Sequence, residues 1–167
     1  IRKIVLVASG SSYHCARFAV ALVEKISKIE TRAIYSSEFL LKTLIPHDEN
    51  TLYIFITQSG ETSDTIKSAQ RVKNETNLPT LCITNKENST IWNTCDYQVA
   101  CFAGEEQGIA ATKSFTSQML CLILISLKLV ENVEPESVTK SYKDSLFRLP
   151  AILETALENR DDIRKFS

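Results

Sequence analysis

Leu52-Tyr53-Ile54-Phe55-Ile56-Thr57-Gln58-Ser59-Gly60-Glu61-Thr62 is an unbroken apolar run that ends in hydroxyls, an amide and one glycine. A short continuous apolar run suits a parallel strand covered on both faces. A helical pattern follows, with Ile66, Ala69 and Val72 three residues apart. The same order of parts opens the chain. Ile4-Val5-Leu6-Val7-Ala8 leads into Ser9-Gly10-Ser11-Ser12, and Ala16, Ala19, Val20, Val23 and Ile26 then keep helical spacing. Working outward, further strands are expected over 31–35, 80–84 and 97–101. A short helix is expected over 36–44, stopped before Pro46, and at most one helical turn over 85–93. A loop rich in Gly and Glu spans 102–110. A long helix is expected over 111–131, a break at 133–137, then helices over 138–148 and, after Pro150, over 151–166. Strands alternating with helices predict an α/β fold: a flavodoxin-like three-layer sandwich on a five-stranded parallel sheet, with extra C-terminal helices. Strand order 2-1-3-4-5 sets strands 1 and 3 side by side at the switch point, so the two hydroxyl-rich loops open into one crevice.

A helix N-terminus presents unpaired N–H groups and about half a positive charge, which suits an anion. Ser59, Thr57, Thr62 and Gln58 add neutral donors, and Gly60 permits a turn and close backbone approach. Ser11 and Ser12 can reach the same ligand from the first loop. The ligand this chemistry fits is a phosphate monoester held without cations, since Lys42 is the only Lys or Arg between Ser36 and Asp64. The plainer alternative is that Ser59, Thr62 or Ser11 only caps a helix. Glu61 must then turn away from a dianion or contact sugar hydroxyls, and it is not assigned as a base.

The chain has 167 residues, 44% hydrophobic and 23% charged, and about 150 residues per domain predicts one domain. Nineteen basic against 20 acidic residues leave no charge excess to favour nucleic acid. The apolar run 119–125 is short of the roughly 20 residues of a membrane span, and no signal peptide is read. Being apolar on nearly every side, that run is expected to be covered on most faces, by the terminal helices or another subunit. Cys15, Cys82, Cys95, Cys101 and Cys121 are widely spaced with no C-x-x-C, so free thiols in a reducing cytoplasm are expected and no metal site. His14, His47, Glu105 and Glu106 are read as surface or loop groups, and Lys113 as a solvated residue at the start of the long helix.

Three segments resemble the sugar isomerase (SIS) domains of glutamine–fructose-6-phosphate aminotransferases. Ala8-Ser9-Gly10-Ser11-Ser12-Tyr13 is similar to A-C-G-T-S-Y, and Thr57 through Thr65 to S-Q-S-G-E-T-x-D-T. Gly104 through Gln118 is similar to G-T-E-x-G-V-A-S-T-K-A-F-T-x-Q. The resemblance covers nearly the whole chain and is to the first of two SIS subdomains. It implies that Ser12, Thr57, Gln58, Ser59 and Thr62 hold the phosphate of fructose 6-phosphate or glucosamine 6-phosphate. It implies that Ser11 and the backbone of Ile109 and Ala111 line the sugar.

On this resemblance, residues 1–148 form the SIS domain, and 149–167 lead to a second SIS subdomain outside this chain. The catalytic glutamate, the ring-opening histidine, the Schiff-base lysine and the glutaminase domain would lie outside it as well. The chain would then hold no catalytic residue and no cofactor or metal. Its partners would be a hexose 6-phosphate, those other domains and a second copy in a homodimer, with no nucleic acid or membrane. Two other readings stay open: an SIS module that senses a sugar phosphate in a regulator, and a two-SIS deglycase or aldose–ketose isomerase.

Overall fold

The computed structural model describes residues 1–45, 48–108, 110–131, 136–158 and 160. Among these, five strands form one parallel sheet: β1 (Lys3–Ala8), β2 (Glu30–Tyr35), β3 (Thr51–Thr57), β4 (Thr80–Thr84) and β5 (Tyr97–Ala100). Their order is β2-β1-β3-β4-β5, the expected 2-1-3-4-5. In register, Ala8 stands beside Ile56, so β1 and β3 end level and their loops leave from adjacent strands. Helices α1 (Gly10–Ser27), α2 (Ser36–Leu41), α3 (Ser63–Glu75), α4 (Thr90–Thr94), α5 (Lys113–Val130) and α6 (Glu136–Glu158) complete the order.

The central strand reads as its sequence suggests. Every residue of β3 is buried, and Tyr53, Phe55 and the β1 residues Val5 and Val7 share a core cluster with Phe39, Ala69, Val72 and Ile91. Burying a large apolar side chain is worth about 1.5–3 kcal/mol, so this cluster on one face, with Ile4, Leu6, Ile54 and Ile56 buried on the other, is the main support of the switch point.

Two expectations need correction. The helix after β2 stops at Leu41 rather than 44, because Arg71 of α3 donates to the carbonyls of Phe39 and Leu40, each at 3.2 Å. Those carbonyls end the helix on a guanidinium instead of a further turn. The two helices expected either side of Pro150 are one helix, α6, with Pro150 inside it. Pro150 leaves the Leu146 carbonyl without its helical donor, a cost of about 3 kcal/mol that neither flanking segment avoids by breaking. Within this single chain the central part of α5 is covered on part of its surface. Ser114, Gln118, Cys121 and Leu122 are buried, but Leu120 and Leu124 are 40% and 48% exposed. A sheet covers one side of a helix only.

The chain divides into two units, Ile1–Ser126 and Leu127–Ser167. The sheet and all the loops discussed above lie in the first. Within it, Cys121 Sγ approaches the Ala100 carbonyl at 4.0 Å and Cys15 Sγ the Phe115 carbonyl at 3.5 Å, which seats α5 against β5 and α1. By length and composition alone α5 is apolar enough to cross a membrane, with mean hydropathy 1.4 over 18 residues, and 39% of it is buried in this structure. In the second unit, Glu131 pairs with Lys128 at 2.6 Å and Lys143 at 2.9 Å, which pulls its carboxyl down to about 2. All five cysteines are free and buried, and burial pushes the Cys15 thiol up to about 12.

Candidate functional site

The loops after β1 and β3 deliver two helices, α1 and α3, whose own cap residues leave the helix N–H groups uncapped. Ser9 stands at the cap position of α1 and Thr62 at that of α3, and neither makes a capping hydrogen bond. In the first loop the Gly10 N–H donates to the Tyr35 hydroxyl at 3.0 Å, while Ser9 Oγ is buried without a partner. Ser12 is buried and Ser11 exposed.

In the second loop the Thr57 and Thr62 hydroxyls are hydrogen-bonded at 2.7 Å. Thr57 is buried, so Thr62 is the outer member of the pair. The Glu61 N–H donates to Ser59 Oγ at 3.1 Å, which leaves the Ser59 proton free to donate. Gln58 and Ser59 are half-buried. The capping role weighed for these hydroxyls is therefore not the one they play.

Glu61 turns away from this loop. Its carboxylate accepts the Thr90 N–H at 2.8 Å and the Thr90 hydroxyl at 2.7 Å, at the start of α4. These two bonds hold its carboxyl below the ordinary value of 4.5. The Ile91 N–H donates to the Gly60 carbonyl at 3.1 Å, and Asn85 N–H to the Gln58 carbonyl at 3.1 Å. Gly60 has φ +71, and a Cβ there would overlap the Ser89 side chain. The loop is thus clamped onto the segment between β4 and α4.

A third loop runs from β5 to α5. Glu106, read from sequence as a solvated charge, is its anchor. Its carboxylate accepts the Ser114 hydroxyl at 2.5 Å and N–H at 3.1 Å, and the Thr112 hydroxyl at 3.0 Å and N–H at 3.4 Å. It closes the N-terminus of α5, where the macrodipole favours a carboxylate. Ser114 and Thr112 pull its carboxyl down to about 2. A carboxyl lowered on folding lends stability above its ordinary value and loses it as the pH falls through the lowered one. The amide resonance of Ser114 is expected to titrate near pH 2. A midpoint at 4.5 in an NMR titration would show that the cap does not form.

A cleft of about 670 Å³ opens beside these loops, lined by Gln58, Ser59, Asn85, Lys86, Phe102 and Glu106 among others. Of the expected site residues, it takes in Gln58 and Ser59 but not Ser11, Ser12, Thr57, Thr62 or Ala111. Ile109 and His47 lie outside the described residues. His14 is exposed on α1 with its ring 5.7 Å from Tyr13, and does not line the cleft. Sequence reasoning missed Lys86 and Asn85. They follow β4, far along the chain from Gln58, and only the sheet order brings them there. Among the described residues, no cluster of three or more His, Cys, Asp or Glu could hold a metal ion.

The sequence profile of the SIS domain family matches residues 1–128, more than three-quarters of the chain. The chain belongs to the SIS domain family. Over 167 residues this SIS domain is 31% identical to the glutamine–fructose-6-phosphate aminotransferase (isomerizing) of Thermococcus kodakarensis, covering 99% of the chain and 28% of that relative. The corresponding enzyme of Pseudomonas syringae pv. tomato is 34% identical, with 99% of the chain and 27% of the relative covered. The C-terminal domain of glucosamine-fructose-6-phosphate aminotransferase from Francisella tularensis superposes with a TM-score of 0.91 at 28% identity. That match covers 99% of the SIS domain chain and 47% of the solved one. The chain thus spans little more than a quarter of the length of these curated relatives.

Proposed function

We propose that this SIS domain is the sugar-phosphate-binding subdomain of an isomerizing glutamine–fructose-6-phosphate aminotransferase. The reaction of the longer protein would be fructose 6-phosphate to glucosamine 6-phosphate, with ammonia taken from glutamine. One observation carries the reading. The helices α1 and α3 leave adjacent strands, neither Ser9 nor Thr62 caps its own helix, and only the neutral Tyr35 hydroxyl meets the first N–H of α1, while carboxylates close the N-termini of α4 and α5.

The phosphate of a hexose 6-phosphate sits at the mouth of α3. Thr62 donates to it, with Thr57 behind holding the Thr62 hydroxyl in line. Ser59, Gln58 and Ser12 complete the donor set, and the sugar extends along Ser11 and the backbone of Ile109 and Ala111. Glu61 is kept off the dianion by Thr90, which resolves the presence of a carboxylate in an anion loop. None of these groups is a base near neutral pH, so proton transfer between carbons falls to residues outside this chain. This chain binds and orients.

Residues 149–167 lead to a second SIS subdomain. Coverage of 47% of the solved C-terminal domain supports a two-part arrangement. A glutaminase domain and a second copy complete the assembly, and the half-exposed Leu120 and Leu124 support the homodimer. We place the protein in the cytoplasm. Its near-zero net charge supports a role without nucleic acid.

Calorimetry tests the reading by comparing fructose 6-phosphate with fructose. The phosphate ester should bind at least about a hundredfold more tightly, since several charge-assisted hydrogen bonds of about 1.5–3 kcal/mol each depend on it. Equal affinity would end the phosphate-site reading.

A further inference from the structure

We propose that Asn85 is a positioning residue that couples the phosphate loop after β3 to the sugar-facing loop after β5. The inference rests on the sugar-phosphate reading of the site. Strand β4 lies between β3 and β5 in the sheet, so the residue that follows it stands between their two loops. Asn85 bonds to both of them. Its backbone N–H donates to the Gln58 carbonyl at 3.1 Å, on the phosphate side. Its side chain reaches the other way: Oδ1 accepts the Ala103 N–H at 2.8 Å, and Nδ2 donates to the Gly104 carbonyl at 2.7 Å. Both partners are backbone groups, one a donor and one an acceptor, so they fix which end of the amide is which.

The backbone that the amide grips is under strain. Phe102 has φ +50 and Gly104 φ +69, on either side of Ala103. Glycine takes such angles freely, but a bulky aromatic residue does so only when its surroundings over-determine the conformation. Burial does not compensate Phe102, a residue 82% exposed at the cleft. The amide of Asn85 is what holds this turn. The other end of the same loop is pinned by Glu106 on Thr112 and Ser114. The segment bearing Ala111 is thus set between two anchors, and only the Asn85 anchor also touches the phosphate loop.

The side chain of Asn85 accordingly matters more for the sugar than for the phosphate. The test measures dissociation constants of fructose 6-phosphate and of inorganic phosphate for the protein carrying this chain, with Asn85→Ala and Asn85→Asp. Every variant keeps the backbone N–H on Gln58. Asn85→Asp keeps an acceptor for Ala103, replaces the donor to Gly104 with a second oxygen and adds a negative charge that opposes both anions alike, so the ratio of the two dissociation constants is its readout if Asn85→Ala does not fold. Fructose 6-phosphate binding should weaken about tenfold relative to inorganic phosphate. Parallel weakening of both ligands would make Asn85 merely structural, and no change in either would also overturn the proposal. If the unaltered protein binds neither ligand, the sugar-phosphate reading itself fails.

Discussion

Gly60→Ala is expected to destabilise the protein by about 2–5 kcal/mol and to disorganise the phosphate loop. Two independent costs add. The backbone at φ +71 lies in the left-handed region, at about 1–2 kcal/mol for a residue with a Cβ. The new Cβ overlaps Ser89 Oγ and Cβ and comes within 3.1 Å of Thr84 Oγ1, and overpacking of this kind costs about 1–3 kcal/mol. Ser89 cannot simply swing away, because its hydroxyl donates to the Lys86 carbonyl at 2.8 Å and it opens α4. Gly10→Ala supplies the control. Its φ is +55, yet nothing lies within 4 Å of an added Cβ, so only the backbone cost applies. Urea unfolding of the two variants should separate them by about 1–3 kcal/mol. Equal losses would mean that α4 does not press on the loop.

Thr62→Ala should weaken hexose 6-phosphate binding by roughly ten- to a hundredfold. The substitution removes a hydroxyl donor to a charged acceptor, worth about 1.5–3 kcal/mol. It also leaves the buried Thr57 hydroxyl without the partner it has at 2.7 Å. Ser59→Ala should fall in the same range for ligand, with little effect on stability, because the Ser59 hydroxyl is half-buried and accepts only the Glu61 N–H. Calorimetry and thermal melting together check both statements. Unchanged affinity in both variants would remove these hydroxyls from the site.

The sheet was legible because each strand is a short apolar run closed by polar residues, as at Leu52-Tyr53-Ile54-Phe55-Ile56 before Thr57. Alternation with helices then left few topologies, and the order β2-β1-β3-β4-β5 is one of them. The convergence of the Ser11 and Ser59 loops followed from that order alone. What stayed hidden depends on contacts without local periodicity. Glu61 meets Thr90, 29 residues on, and Asn85 meets Gly104, 19 residues on. Glu106 caps α5 from six to eight residues upstream, where the familiar capping-box spacing of three would not find it. Pro150 misled because an interior proline usually ends a helix, and α6 continues through it. The exposed Leu120 and Leu124 show the converse. An apolar side chain signals a preference for burial, and its own chain need not supply the cover.

An amide chemical-shift map during titration with fructose 6-phosphate tests most directly whether the anion sits at the joined mouths of α1 and α3. The largest changes should fall on the amides of Ser11 and Ser12 and on those from Gln58 to Ser63, followed by Ala111. A competing location exists: a pocket of about 400 Å³ lined by Arg32, Glu38, Leu41 and Lys42, which offers cations instead of helix ends. Shifts concentrated on Arg32 and Lys42, with Gln58 to Ser63 unmoved, would contradict the account.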